Sequence, residues 1–405
     1  MTYQLSKRSG NLRRSPVRDI LSFHGRSDMI SFAGGLPSSM ALPVSQMKEC
    51  ADLVLTKYGS TALQYGTTEG FPLLREWIAA MLTRKGIPTV ADEILLTSGS
   101  QQALDLIGRL FLDPGDPVYV SFPCYNGALQ SFEMNEATIL PFSVADACNF
   151  VEFSGNTNRL HDSLIALNQS KFTYLVPTLN NPSGHTLSLR ERMLLAEFFD
   201  RTNSLLFEDD PYCDLLFSGE SLGPVASFIR RSSILTGSFS KIISPSLRTG
   251  WLRAPKEMMA KLIPLKQAMD LHSNLFSQMM IYMYLTSFSH DRLLSQIRNE
   301  YKEKQLFMKK SLELSGIGLY PVKETSGGMF LWVRFYDFVD TDQFIKQCLA
   351  NGVAFVPGSA FYVNKEEGKH YARFNYTVSD FAQIAKGVDR LKESYFQMLI
   401  PQPSI

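Results

Sequence analysis

The sequence predicts an α/β protein, with a mainly parallel-sheet large domain covered by helices and a smaller α+β domain. Three observations carry that expectation. Between about residues 30 and 270, short β-rich runs alternate with helix-like segments. Each run is followed closely by small, polar or proline residues. After about residue 273 the pattern changes to helices, strand-like runs at 329–335 and 372–376, and a helix from about Asp380. A chain of 405 residues, 45% of them hydrophobic, can bury a large core and divide in two. The predicted division is 30–273 for the large domain and 1–29 with 274–405 for the small one.

The predicted strands of the large domain are 94–97, 118–121, 172–176, 205–208 and 233–236. In open α/β sheets ligands lie beyond the carboxyl ends of the strands, so residues just after each run converge although they are distant in sequence. The stretch 257–288 reads as helical, and its methionines (Met258, Met259, Met269, Met279, Met280, Met283) read as core filler rather than a flexible binding surface.

Composition narrows the function. A formal charge of +1 supplies no field to hold a nucleic-acid backbone or an anionic membrane. The basic start MTYQLSKRSGNLRRSP leads into no apolar block, and no later stretch has about 18 uninterrupted apolar residues. The expectation is a cytoplasmic protein. The five cysteines are scattered without a CxxC pair, which fits neither a disulfide framework nor a zinc site, and the six histidines lack metal-ligand spacing. GxGxxG in a βαβ setting, Walker A, HExxH and GxSxG motifs are all missing from the sequence.

The most informative stretch is TGSFSKIISPSLRTGW, with Lys241 directly after a predicted strand and Arg248 seven residues later. A lysine forms a Schiff base only as a free amine, while Arg248, Ser238 and Ser240 suit a phosphate; a solvated loop is the plain alternative. In LLTSGSQQALDL, Gly99, Ser100 and Gln101 open a helix whose N–H groups can cradle a phosphate or simply cap a turn. In SLLFEDDPYCDL consecutive acids end an apolar run, with Tyr212 three residues after Asp209. A carboxylate there can cap a helix or hold a pyridinium, the second attracting by roughly 4 kcal/mol at about 4 Å and an effective dielectric near 20. Asn181 in LVPTLNNPSG can mark a turn or bond the oxygen of a cofactor ring, and Tyr125 in VSFPCYNGAL can be core or lie over such a ring. Arg373, in the apolar run HYARFNYTVSD, needs an anion: a substrate carboxylate or an internal salt bridge.

Taken in order, SPVRDI, FAGGLPS, LQYGTTEGFPLLREW, TSGSQQALD, PCY, NNPSG, EDDPY, GSFSK with SLRTGW, GGMFLW, PGSAF and ARFNY resemble fold-type I enzymes dependent on pyridoxal 5′-phosphate (PLP). The resemblance is to class I/II aminotransferases, in the branch of kynurenine/2-aminoadipate aminotransferases and the aminotransferase-like half of MocR regulators, and runs from about Ser15 to about Leu391. It implies that Lys241 carries the cofactor as an imine, Asp209 pairs with the pyridine nitrogen, Asn181 and Tyr212 contact the ring's 3-oxygen, and Tyr125 stacks on the ring. Ser100, Gln101, Ser238, Ser240 and Arg248 would hold the phosphate, joined by Tyr65 from the other subunit of a homodimer with shared active sites. Gly35, Asn181 and Arg373 would receive the substrate carboxylate, with Arg18 closing over the side chain. The implied reaction moves an amino group from an L-amino acid to a 2-oxo acid, commonly 2-oxoglutarate, in amino acid metabolism. Another PLP reaction on the same scaffold (cyclase, lyase or oxidase) is the alternative. A MocR-type regulator is the non-enzymatic one, although the residues ahead of the large domain, about thirty, are too few for a helix-turn-helix. Phe330, Tyr65, Phe361 and Tyr362 suit an aromatic or long apolar substrate, or the core.

Overall fold

The computed structural model describes residues 3–6, 9–10, 28–153 and 170–399. After a short strand β1 (Ile30–Ser31), the central sheet is built from β2 (Ile94–Thr97), β3 (Pro117–Val120), β4 (Thr138–Pro141), β5 (Phe172–Leu175), β6 (Leu206–Asp209), β7 (Ser233–Ser238) and β8 (Gly250–Arg253). Their spatial order is β2-β8-β7-β6-β5-β3-β4. The pairs from β7 through β6, β5 and β3 to β4 are parallel, whereas β8 runs antiparallel to both β7 and β2. The sheet is therefore mainly parallel with one reversed strand. β4 and β8 were not anticipated from sequence: each has four residues, and GWLR reads as the tail of the lysine motif rather than as a strand.

Burial on both faces explains why these strands read as unbroken apolar runs. Phe207 joins the cluster of Leu104, Ile107, Phe132 and Phe172, while its neighbour Leu206 joins Leu195, Phe198 and Phe199. The helices packed with the sheet or with one another are α1 (Val44–Tyr58), α2 (Pro72–Arg84), α3 (Ser100–Phe111), α4 (Asn126–Met134), α5 (Val144–Glu152), α6 (Leu189–Thr202), α7 (Lys256–Asp270) and α8 (Leu275–Ser287). Their starts are legible in the chain. Pro72 opens α2, and at α6 Ser188 and Glu191 exchange hydrogen bonds in a capping box.

The predicted helical stretch 257–288 is two helices. Leu271 takes φ +60°, and Asn274 restarts the helix by accepting from the Ser277 N–H at 2.8 Å. Met259, Met279, Met280 and Met283 are buried, and Met269 is exposed at the break.

The remaining elements are α9 (His290–Leu314), β9 (Phe330–Arg334), α10 (Thr341–Ala350), β10 (Val353–Ala354), β11 (Val356–Pro357), β12 (Tyr371–Asn375) and α11 (Phe381–Leu399). An antiparallel sheet of order β11-β12-β9 packs with α9 and α10, and α11 packs on those helices and on β1 and β10. β1 pairs parallel with β10, and the Asn375 N–H donates to the Phe32 carbonyl at 2.7 Å. This seam carries the chain past β12 and delivers Ala33 and Gly35 to the end of the central sheet.

Candidate functional site

A cavity of about 670 Å³ lies at the carboxyl ends of the parallel strands, lined by residues that precede, end or follow them and by Arg373 from the smaller sheet. Strand parity decides which acid of EDD reaches it. Successive side chains alternate faces, so Phe207 and Asp209 share one side and Glu208 takes the other. Glu208 is fully buried there and accepts from the N–H groups of Val225 and Ala226 at 3.0 and 2.9 Å, so the capping role belongs to it. Asp209 lines the cavity. Its Oδ2 accepts from the Tyr174 hydroxyl at 2.8 Å, and its buried Oδ1 has no partner among the described residues. Burial pushes this carboxyl up to about 7 despite the Tyr174 hydrogen bond, with the Asp210 charge adding to the rise.

β7 carries the chain directly to the lysine. Ser238 is its last residue, and its hydroxyl accepts from the Ser240 N–H at 3.1 Å, bending the backbone into the single turn Phe239–Lys241. Lys241 Nζ donates to the Gly35 carbonyl at 2.7 Å. Burial, then the positive charges of Arg373 and Arg248, hold its ammonium down to about 8. An amine so placed is far closer to its free form at neutral pH than a surface lysine.

The N-terminus of α3 forms an anion cradle beside it. Gly99, at φ +81°, turns the chain so that a side chain there would meet Arg248 at 2.6 Å, and a Cβ on Gly250 would sit 2.8 Å from the Ser100 nitrogen. Arg248 donates to the Ser98 carbonyl at 3.1 Å, which places its guanidinium at this N-terminus. The Gln101 amide nitrogen is committed to the Gly127 carbonyl at 2.9 Å and the Ser131 hydroxyl at 3.1 Å, and Tyr125 donates to its oxygen at 3.2 Å. Gln101 thus offers an anion its backbone, while its side chain fixes Tyr125.

Across the cavity, Arg373 is 3% exposed. It donates to Asn181 Oδ1 at 2.7 Å and to the Ala33 carbonyl at 2.6 Å, and its Nε has no partner among the described residues. The rings of Phe330 and Phe361 lie 4.3 and 5.1 Å from the guanidinium carbon. Its partners are an amide and a carbonyl, not a carboxylate, so no internal salt bridge neutralises it among the described residues. Burial lowers it to about 10, the cost of keeping an uncompensated cation where an anion can dock. Asn181 also donates to the Tyr212 hydroxyl at 3.4 Å, and burial pushes that phenol up.

The structure thus brings together Gly35, Ser100, Gln101, Tyr125, Asn181, Asp209, Tyr212, Ser238, Ser240, Lys241, Arg248 and Arg373 around one cavity. Tyr65 is not among its walls; it is 77% exposed, with its ring against His272 at 5.7 Å. Arg18 lies outside the described residues. Tyr362 stacks on Phe122 at 5.6 Å and is likewise not a wall residue. Sequence reasoning missed Tyr174, whose one signal is a tyrosine inside a buried strand, a hydroxyl that must find a partner.

The donor set suits a planar phosphorylated aldehyde with a basic ring nitrogen: an amine, an anion cradle about a helix N-terminus, and an orphaned carboxylate oxygen. Comparisons agree in kind. The family description "Aminotransferase class I and II" matches residues 27–391. Aromatic-amino-acid aminotransferase 1 of Thermococcus litoralis is 35% identical, over 96% of this chain and 93% of that protein. The 2-aminoadipate transaminase of Thermus thermophilus is 33% identical, over 95% and 94%. The crystal structure of alpha-aminoadipate aminotransferase from Thermus thermophilus, complexed with N-(5'-phosphopyridoxyl)-L-leucine, superposes with a TM-score of 0.86 at 31% identity, covering 98% of each chain.

Proposed function

Because this chain belongs to the class I and II aminotransferases, PLP-dependent enzymes of fold type I that transfer amino groups, we propose that it moves the amino group of a neutral, aromatic or long-chain L-amino acid to 2-oxoglutarate. One observation carries the reading: a single cavity holds Lys241, the orphaned oxygen of Asp209, the α3 anion cradle and Arg373. The other cavity cations, Arg248 and Arg373, are engaged by phosphate and α-carboxylate, so among the described wall residues none is left for a charged donor side chain. Arg18 is assigned to the second carboxylate of the acceptor.

When bound, PLP supplies an aldehyde that condenses with amines and a ring that withdraws electrons from the substrate's Cα. Lys241 would hold the aldehyde, and Ser100, Gln101, Ser238, Ser240 and Arg248 the phosphate. Tyr125 would cover the ring, and Asn181 and Tyr212 its 3-oxygen. The Asp209 carboxylate keeps a proton on the ring nitrogen. Arg373 grips the α-carboxylate common to amino acid and oxo acid, with Gly35 and Asn181 closing the same end, while Phe330 and Phe361 exclude water from that ion pair. As a free amine, Lys241 Nζ would accept the Cα proton of the bound substrate.

The same reading assigns Tyr65, exposed beside the 73% exposed Leu63, to the partner's phosphate in a homodimer with shared active sites. It assigns 30–273 to cofactor binding, with 1–29 and 274–405 as the cover, and a cytoplasmic location. No helix among the described residues is long and apolar enough to cross a membrane.

A donor screen with 2-oxoglutarate and pyruvate as acceptors tests the function. Phenylalanine, tyrosine or leucine should be converted to oxo acids with glutamate as co-product, and inactivity with every donor would overturn it. A second check uses pH. Only the free Lys241 amine captures the aldehyde, and this amine sits at about 8 instead of 10.5. The rate at which apoenzyme regains its visible absorbance should therefore rise about tenfold from pH 7 to 9 and then level off. A rate still climbing between pH 9 and 10 would show an ordinary lysine.

A further inference from the structure

We propose that Tyr174 is the positioning residue of the cofactor site: its hydroxyl holds one oxygen of Asp209 so that the other, and the full negative charge, remain for the ring nitrogen. This rests on the PLP reading above. β5 and β6 are parallel neighbours, and their register sets Tyr174 opposite Phe207, the residue two before Asp209 on the same face. The phenol is 1% exposed, its ring edge-on to Phe132 and Phe207 at 5.6 Å each, so the hydroxyl is delivered to Asp209 Oδ2 at 2.8 Å by packing on both sides. Asp209 is 2% exposed, and Oδ1 lacks any partner among the described residues.

The groups around this carboxylate are Tyr174 from β5, Cys124 from the turn after β3, Asp210 and Tyr212 from its own segment, and Lys241 across the cavity. Its direct partner is neutral, and that choice has a consequence. A cation in the place of Tyr174 would compete with a protonated ring for the carboxylate's charge, whereas a neutral donor stabilises the ionised form and leaves the charge in place. Without the hydroxyl, a carboxylate buried this deeply takes up a proton more readily.

Tyr174→Phe keeps the ring and its packing, and tests the idea. With wild-type enzyme shown to bind PLP and turn over, the variant should lose about tenfold in kcat, the scale of one hydrogen bond to a charged group, with the donor KM within about twofold. PLP should bind more weakly, and the acid limb of the kcat profile should move up by about one pH unit. Loading both proteins with N-methylated PLP, whose ring nitrogen carries a permanent charge, should bring their kcat ratio close to one. 3-Fluorotyrosine at position 174, a stronger donor of the same shape, should shift the acid limb the other way, and gives a second measurement if the phenylalanine variant folds poorly. An acid limb that stays in place in both variants, or an equal kcat loss with the methylated cofactor, would overturn the proposal and reduce Tyr174 to packing. Failure of the wild type to take up PLP would instead sink the reading of the site itself.

Discussion

Lys241→Ala should lower kcat by about 10⁴-fold, at the upper end of what a positioned general base contributes, and should abolish the visible absorbance that PLP gains on the native enzyme. On the proposed reading two functions are lost together, because the same Nζ would capture the aldehyde and move the Cα proton. The fold has little at stake, since among the described residues the amine's one hydrogen bond is to the Gly35 carbonyl. The spectrum of the purified variant with added PLP, followed by single-turnover assays on donor, separates the two losses. A visible band that survives would place the anchor on another lysine, and a variant with wild-type turnover would remove Lys241 from the chemistry.

Arg373→Lys should cost about 10²- to 10³-fold in kcat/KM, and by a similar factor in both half-reactions. Lysine keeps the charge but not the fork. At this site the guanidinium already spends two N–H groups on Asn181 and the Ala33 carbonyl at 2.7 and 2.6 Å, and its plane is held by Phe330 and Phe361. An ammonium cannot keep both contacts and also offer paired bonds to a carboxylate, so about 3–4 kcal/mol of charge-assisted bonding is lost. Stopped-flow measurement of the donor and the oxo-acid half-reactions is the direct check. Equal losses follow if Arg373 reads the α-carboxylate that both substrates share, while a loss confined to one substrate would assign it to a side chain.

Most of the site was legible because its chemistry restricts residue type. An imine needs a lysine, a ring nitrogen an acid and a carboxylate an arginine, and the parallel α/β pattern says that residues following the strands meet. Those restrictions single out Lys241, Asp209, Asn181, Arg248 and Arg373, all of which line the cavity. They separate Asp209 from Glu208 only by resemblance, whereas strand parity separates them physically, with Glu208 turned to the Val225 and Ala226 N–H groups. Gln101 reads from the sequence only as part of a helix start whose backbone N–H groups suit a phosphate, and the structure adds what its side-chain amide does, bonding Gly127 and Ser131. β8 escaped notice because four residues beside a stronger motif carry too little periodicity to be read.

The sequence by itself determined the α/β class and the family and named the side chains that the cavity gathers, since apolar periodicity and residue type are local properties written along the chain. The tertiary structure alone decided which site atoms lack a partner among the described residues, Asp209 Oδ1 and Arg373 Nε, and which hydroxyl, that of Tyr174, is turned in to hold Asp209. The reason is desolvation. A carboxyl raised to about 7 and an ammonium lowered to about 8 owe their shifts first to burial, and burial is a sum over neighbours that come from β3, β5, β6, β7 and β12 and meet only when the chain is folded.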